Sequence, residues 1–222
     1  MFTAAPGGAT AFYGVLLGKI ETSNACKNWE KILEKDIDWS KIFDNTMKTK
    51  EIKLRWFQMK ICYRILVTNS ILFSMKVTTN NLCNFCQVEK DTIFHYMWQC
   101  MHVQTFWVDF ERTLKDKCLN CDRLAMNPTL VLFGTDGTTN TDDGFDFILL
   151  HAKFFVYKCR LNKTKPVMQA FLRELKLTRD VDKYVQQLEL SYDKFLRKWM
   201  LHDALINNSL IARLKCINKK IF

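Results

Sequence analysis

Proline occurs three times and glycine seven times in a chain of 222 residues. With so few residues that break helices or favour left-handed backbone, long helices are expected and strands should be few or absent. Histidine is almost as sparse, at four. No apolar run approaches the roughly 20 residues that span a bilayer. The opening stretch MFTAAPGGATAFYGVLLGKI has no basic leader, and Gly14, Gly18 and Lys19 interrupt its apolar part, so it does not read as an export signal. An intracellular setting, nuclear or cytoplasmic, is therefore expected. There the nine cysteines would be free, packed or metal-bound rather than bridged.

What the sequence does hold is apolar bulk and positive charge. It is 48% hydrophobic, enough to fill a core. Thirty-three Lys and Arg against twenty-three Asp and Glu leave a net charge of +10. That excess favours an anionic partner, RNA or DNA, over a neutral one. The expected fold is mainly α: a helical domain organised around a Cys/His cluster, followed by a C-terminal helical segment. Four regions are read: connecting helices over 1–48, a helix plus the cluster over 49–134, a loop over 135–144 and a helical region over 145–222. The segment NWEKILEKDIDWSKIF suits one or two short amphipathic helices. TKEIKLRWFQMKICYRILVT reads as one helix from Thr49 to Thr68, with Thr49 as N-cap. On it Lys50, Lys53, Lys60 and Arg64 share one arc with Phe57, a stripe suited to phosphates or to plain solvation. Lys165-Pro166 marks a further helix start. Asp180 to Ile206 follows as a long amphipathic helix, with Val185, Leu188, Tyr192, Phe195, Leu196 and Trp199 on its apolar face.

The chemistry-bearing stretch is NNLCNFCQVEKDTIFHYMWQC, in which Cys83, Cys86, His95 and Cys100 stand as C-x2-C-x8-H-x4-C. A Cys-x-x-Cys turn aims two thiolates at one point, and Zn²⁺ takes four N/S ligands tetrahedrally at about 2.0–2.3 Å. His95 and Cys100 would supply the other pair. Five residues along an α-helix is a rotation of about 140°, so the helix carrying His95 must loosen or end before Cys100. Four protein ligands leave no open position, which makes such a site structural rather than catalytic. Two other partitions are open. Cys118 and Cys121 form a second C-x2-C that could join Cys83 and Cys86 in a four-Cys ribbon, and His102 could take the place of His95.

The order Cys83-x2-Cys86, Asp91-Thr92, His95-x2-Trp98-x-Cys100, then Phe106-Trp107, resembles the C-terminal zinc-binding region, a CCHC knuckle, of non-LTR (LINE-type) retrotransposon reverse transcriptases. LRWFQMKICYRILVTNSILFSMKV is similar to that family's helix ahead of the knuckle, and FYGVLL and NWEKIL are similar to its connecting segments. LFG, HAKFFVY and Lys165-Pro166 fit the tail of many such elements. The resemblance implies a bound Zn²⁺ and a module that helps a polymerase hold template RNA or target DNA during target-primed reverse transcription. The remainder of such a polymerase is then a possible partner.

The paired carboxylates of a polymerase palm, Tyr/Phe-x-Asp-Asp, do not occur, so the chain reads as non-catalytic. Asp136, Asp142, Asp143 and Asp146, with Lys153 downstream, make a poor match to a Mg²⁺-nuclease pattern and read instead as a solvated acidic loop. In the nucleic-acid reading, Lys50, Lys53, Lys60 and Arg64 contact phosphates, and Trp98, Phe106 or Trp107 offers a stacking face. The alternative is a zinc-stabilised helical scaffold for protein–protein interaction, docking through the Asp180–Ile206 helix.

Overall fold

The computed structural model describes residues 23–117, 125–134, 143–188 and Trp199. Among these the fold is mainly helical, as expected, and the one β feature is an isolated antiparallel bridge between Leu82 and Lys90. In chain order the helices are α1 (Asn24–Leu33), α2 (Trp39–Lys48), α3 (Ile52–Cys62), α4 (Asn69–Ser74), a π-helix (His95–Gln99), α5 (Met101–Lys117), α6 (Pro128–Phe133), α7 (Asp143–Leu161) and α8 (Met168–Leu188). α7 sits at the centre, touching α3, α6, α8 and the π-helix, while α3 also packs on α2 and α6.

Side-chain caps start four of these helices by satisfying an amide that no earlier turn can reach. Ser23 Oγ accepts from the Cys26 amide, Asp38 Oδ1 from Lys41, Thr68 Oγ1 from Ile71 and Asn127 Oδ1 from Leu130. Asn127 is followed by Pro128 in the first helical position, where the missing N–H costs nothing. Gly134 closes α6 at φ 85°, and a Cβ there would stand 3.0 Å from Asp146 Oδ1, so only glycine fits without displacement.

The helix expected from Thr49 to Thr68 is shorter than its apolar pattern. Thr49 is the C-cap of α2, not the N-cap of the next helix, and Glu51 precedes α3 without a side-chain cap bond. α3 ends at Cys62, because Arg64 turns left-handed at φ 56°. The Ile65 amide then donates to Lys60 O at 3.0 Å and the Arg64 amide to Ile61 O at 3.0 Å, the Schellman arrangement that satisfies the last carbonyls. The same 6→1 and 5→2 pairing closes α4 through Lys76 and α7 through Lys163. α8 runs without a break from Met168 past Asp180, where a separate helix was expected, and Val185 on it is exposed. Tyr192, Phe195 and Leu196 lie outside the described residues, as do FYGVLL and most of the expected 135–144 loop.

The buried residues form one cluster running from Cys26 to Trp199. Four of its tryptophans bury the ring while keeping the indole N–H bonded, whereas the Tyr96 hydroxyl is buried without a partner. Trp29 donates to Ile61 O at 3.1 Å, Trp39 to Glu30 Oε1 at 2.7 Å, Trp107 to Met97 O at 2.7 Å and Trp199 to Asp182 Oδ2 at 2.6 Å. Phe106, Phe110, Phe155 and Phe171 join α5, α7 and α8 with centroids 5.6–6.2 Å apart, Phe106 and Phe171 edge to face and the other pairs tilted. No helix among the described residues is long and apolar enough to cross a membrane.

Candidate metal centre

A short loop brings the first two sulfurs to their places. The Leu82–Lys90 bridge pinches it, the Cys83 amide donates to Glu89 O at 2.8 Å, and Gln87 turns left-handed at φ 57° to donate to Cys83 O at 2.9 Å. The Phe85 amide points at Cys83 Sγ from 3.4 Å, a contact that favours the ionised sulfur.

The second pair comes from the π-helix. Thr92 Oγ1 accepts from the His95 amide at 3.0 Å and starts the turn. The Cys100 amide then donates to His95 O at 2.8 Å, an i→i+5 ring in place of the α-helical i→i+4. One extra residue in the turn brings position i+5 back over position i, and Cys100 itself leaves the helix with ψ 128°. The loosening that the His95–Cys100 spacing demands is thus present as a π-turn.

The result is a group in which the ligand atoms of Cys83, Cys86, His95 and Cys100 all lie within 4.8 Å of one another. Cys83 and Cys100 Sγ are 4.0 Å apart, and Cys86 Sγ is 3.4 Å from His95 Nε2. Ligands on a tetrahedral Zn²⁺ at about 2.3 Å (S) and about 2.0 Å (N) stand roughly 3.8 Å (S···S) and roughly 3.5 Å (S···N) apart. Those two separations are close to the edge lengths the ion would impose, and the remaining ones do not exceed 4.8 Å. Cys83, His95 and Cys100 are buried and Cys86 half-buried. The hydrogen bond between Cys83 and Cys100 raises the Cys83 thiol and lowers its partner's, and burial adds to the rise at Cys83. Burial also lowers His95, which keeps its ring neutral, as a ligand must be. A divalent cation would reverse the cost of ionising crowded thiols. These four residues can hold a metal ion. His102 is not part of the group, and Cys118 and Cys121 lie outside the described residues.

Behind the ligands stands a buried ion pair that the sequence reading did not find. Asp91 and Arg160 are 0% and 2% exposed. Both Asp91 oxygens take the Arg160 Nε at 3.0 Å, Arg160 Nη2 closes on Oδ2, and the Asn69 amide donates to the same Oδ2 at 2.6 Å. The guanidinium also lies over the Tyr96 ring, 4.8 Å from its centroid. Asn84 Nδ2 donates to Arg160 O at 3.0 Å, and Asn69 Nδ2 reaches Leu82 O and Asn84 Oδ1. The metal loop, the start of α4 and the end of α7 are knit together by these bonds. Asp91 appears in sequence only as part of the Asp-Thr phrase, and its arginine lies 69 residues on, too far for any local pattern.

The expected nucleic-acid residues divide. Lys50, Lys53 and Lys60 are exposed, and Lys53 Nζ stands 5.0 Å from the Phe154 centroid. Arg64 leaves the stripe. It lies past the end of α3, its guanidinium covers Trp29 at 4.7 Å, and its Nη1 is buried without a hydrogen-bond partner. Phe57, placed on the same arc by phase, is buried against Phe154 and Tyr157. Trp98 is half-buried against the core, and Phe106 and Trp107 are each 1% exposed, so neither of the last two can stack on a base. Lys153, considered for a nuclease pattern, is buried. It donates to Gln58 Oε1 at 2.5 Å and to Leu132 O at 3.3 Å, and burial lowers it to about 8.

No protein-family model matches the chain.

Proposed function

We propose that this chain is a zinc-holding, non-catalytic nucleic-acid-binding module, similar to the C-terminal region of a LINE-type retrotransposon reverse transcriptase. In such a polymerase it would help hold template RNA or target DNA during target-primed reverse transcription. The observation that carries the reading is the closed Cys83–Cys86–His95–Cys100 group, four soft donors at zinc spacing. The net charge of +10 and the exposed Lys50, Lys53 and Lys60 supply the phosphate-facing surface. Zinc would fix the loop that carries Asp91 and so hold the end of α7 against it.

The test joins metal content with binding. Purified protein should carry one zinc per chain by native mass spectrometry, and it should bind RNA or DNA with an affinity that falls steeply with salt. Replacing Lys53 and Lys60 together by Ala should weaken binding to all sequences alike and reduce the salt slope by about 2. Absence of binding at low salt would leave the scaffold reading. That alternative draws support from α4, which buries none of its residues and leaves Phe73, Met75 and Val77 exposed in and just after it.

A further inference from the structure

Six tryptophans occur in the chain, and five are accounted for by packing. Trp29, Trp39, Trp107 and Trp199 are at most 5% exposed, and Trp98 is packed against the core. Trp56 is 62% exposed on α3. Residues 52, 53, 56, 60 and 63 fall within about 100° of helix rotation. They are Ile52, Lys53, Trp56, Lys60 and Tyr63, all of them exposed. Between Glu51 and Glu89 the sequence has no Asp or Glu, while Lys53, Arg55, Lys60, Arg64 and Lys76 fall in that interval. Glu51 itself faces His151, 3.6 Å away, on the α7 side. An exposed indole ring thus stands between two lysines that form no ion pair among the described residues.

We propose that this face of α3 binds single-stranded nucleic acid, with an unpaired base stacked on Trp56 and the flanking phosphates held by Lys53 and Lys60. The inference rests on the nucleic-acid reading above and deepens it by naming the strand form and the stacking residue. A protruding ring can lie on the face of an unpaired base, whereas in a duplex those faces are covered by neighbouring pairs. Lysines one turn from the ring are at the right remove to follow the backbone on either side of a stacked base. Trp29, Trp39, Trp107 and Trp199 are buried and Trp98 is half-covered by the core, so the stacking role falls to Trp56 and not to Trp98.

The measurement uses the metal-loaded full chain with a poly-dT oligonucleotide and a hairpin duplex of equal charge. Trp56 should dominate the acrylamide-quenchable emission, and the single strand should quench that emission and protect it from acrylamide. Trp56→Leu should weaken single-strand binding about 5- to 150-fold, with duplex binding, metal content and helicity unchanged. Trp56→Phe, which keeps a ring, should restore a large part of the loss. If Trp56→Leu binds the single strand as tightly as wild type, the inference fails while the nucleic-acid reading stands. If wild type binds neither nucleic acid at low salt, both fail together. A wild-type dimer that Trp56→Leu converts to monomer, with no loss of single-strand affinity, would make the face a self-contact and also overturn the inference.

Discussion

Replacing Asp91 by Ala should destabilise this protein more than any substitution at its surface, for a reason that can be worked from the bonds. Arg160 would remain 2% exposed with its carboxylate partner gone, and removing one member of a buried ion pair costs about 3–5 kcal/mol. The Asn69 amide would also lose its acceptor at 2.6 Å, a further cost of about 1–3 kcal/mol for an unsatisfied buried donor. The sum is about 4–8 kcal/mol, which for a chain of this length lowers Tm by roughly 10 °C or more. Asp91→Asn keeps an acceptor for Asn69 but not the charge, so it should fall between wild type and Asp91→Ala. The double variant Asp91→Ala/Arg160→Met removes both charges and should recover much of the loss, because an apolar side chain can fill the space without an orphaned cation. Thermal unfolding of the metal-loaded protein, followed by tryptophan fluorescence, reads all three. An Asp91→Ala variant within about 2 °C of wild type, or a double variant no more stable than the single, would refute the keystone role given to this pair.

Three further outcomes are expected. His95→Ala should lower zinc affinity by orders of magnitude in a chelator competition, and His95→Cys should restore much of it by supplying another soft donor; undiminished affinity in His95→Ala would favour a set that includes Cys118 and Cys121. The amine of Lys153 is depressed to about 8 in the folded chain from 10.5. Over that window the unfolded state binds more protons, so this residue makes stability rise with pH. Cys62, pushed up from 9.0 to about 11 by burial, has the opposite sign and opposes the rise above pH 9. Urea midpoints between pH 8 and 9 should therefore climb in wild type and stay flat in Lys153→Met. Gly134→Ala should cost about 1–3 kcal/mol, since the new Cβ combines φ 85° with the 3.0 Å approach to Asp146; a neutral effect on Tm would show that the α6 turn can relax.

The Cys83, Cys86, His95 and Cys100 cluster was legible because the geometry that could hold a metal ion is local. Two cysteines three apart and a His–Cys pair five apart fix one another's directions, and helix phase alone demanded the relaxed turn that the His95–Gln99 π-helix provides. The helical class was legible from the scarcity of glycine and proline. That same scarcity hid the helix ends: apolar residues continue through Ile61 to Thr68 with no breaker, so nothing in the composition announces that Arg64 will turn left-handed. The α6 helix carried a readable start in Asn127-Pro128, but six residues are too few for periodicity to declare. Trp98, Phe106 and Trp107 were expected to offer a stacking face and Trp56 was not, because exposure of an aromatic depends on which helices pack over it. Phe57 shows the limit of phase in the other direction, since it shares the lysine arc and yet is covered by Phe154 and Tyr157 from α7.

The left-handed residues Glu34, Arg64, Lys76, Gln87 and Lys163, with φ between 51° and 58°, occupy positions where glycine would sit without strain. A side chain in that conformation costs of order 1 kcal/mol, so the chain stands below the stability its own backbone allows. The shortfall is not uniform. Arg64, Lys76 and Lys163 bring positive charge to helix C-termini, where the macrodipole welcomes it and offsets part of the cost. Glu34 brings the wrong sign to the end of α1 and has the least to lose from replacement. For anyone wishing to harden this fold without touching its metal ligands or its α3 face, position 34 is where the backbone already leaves room.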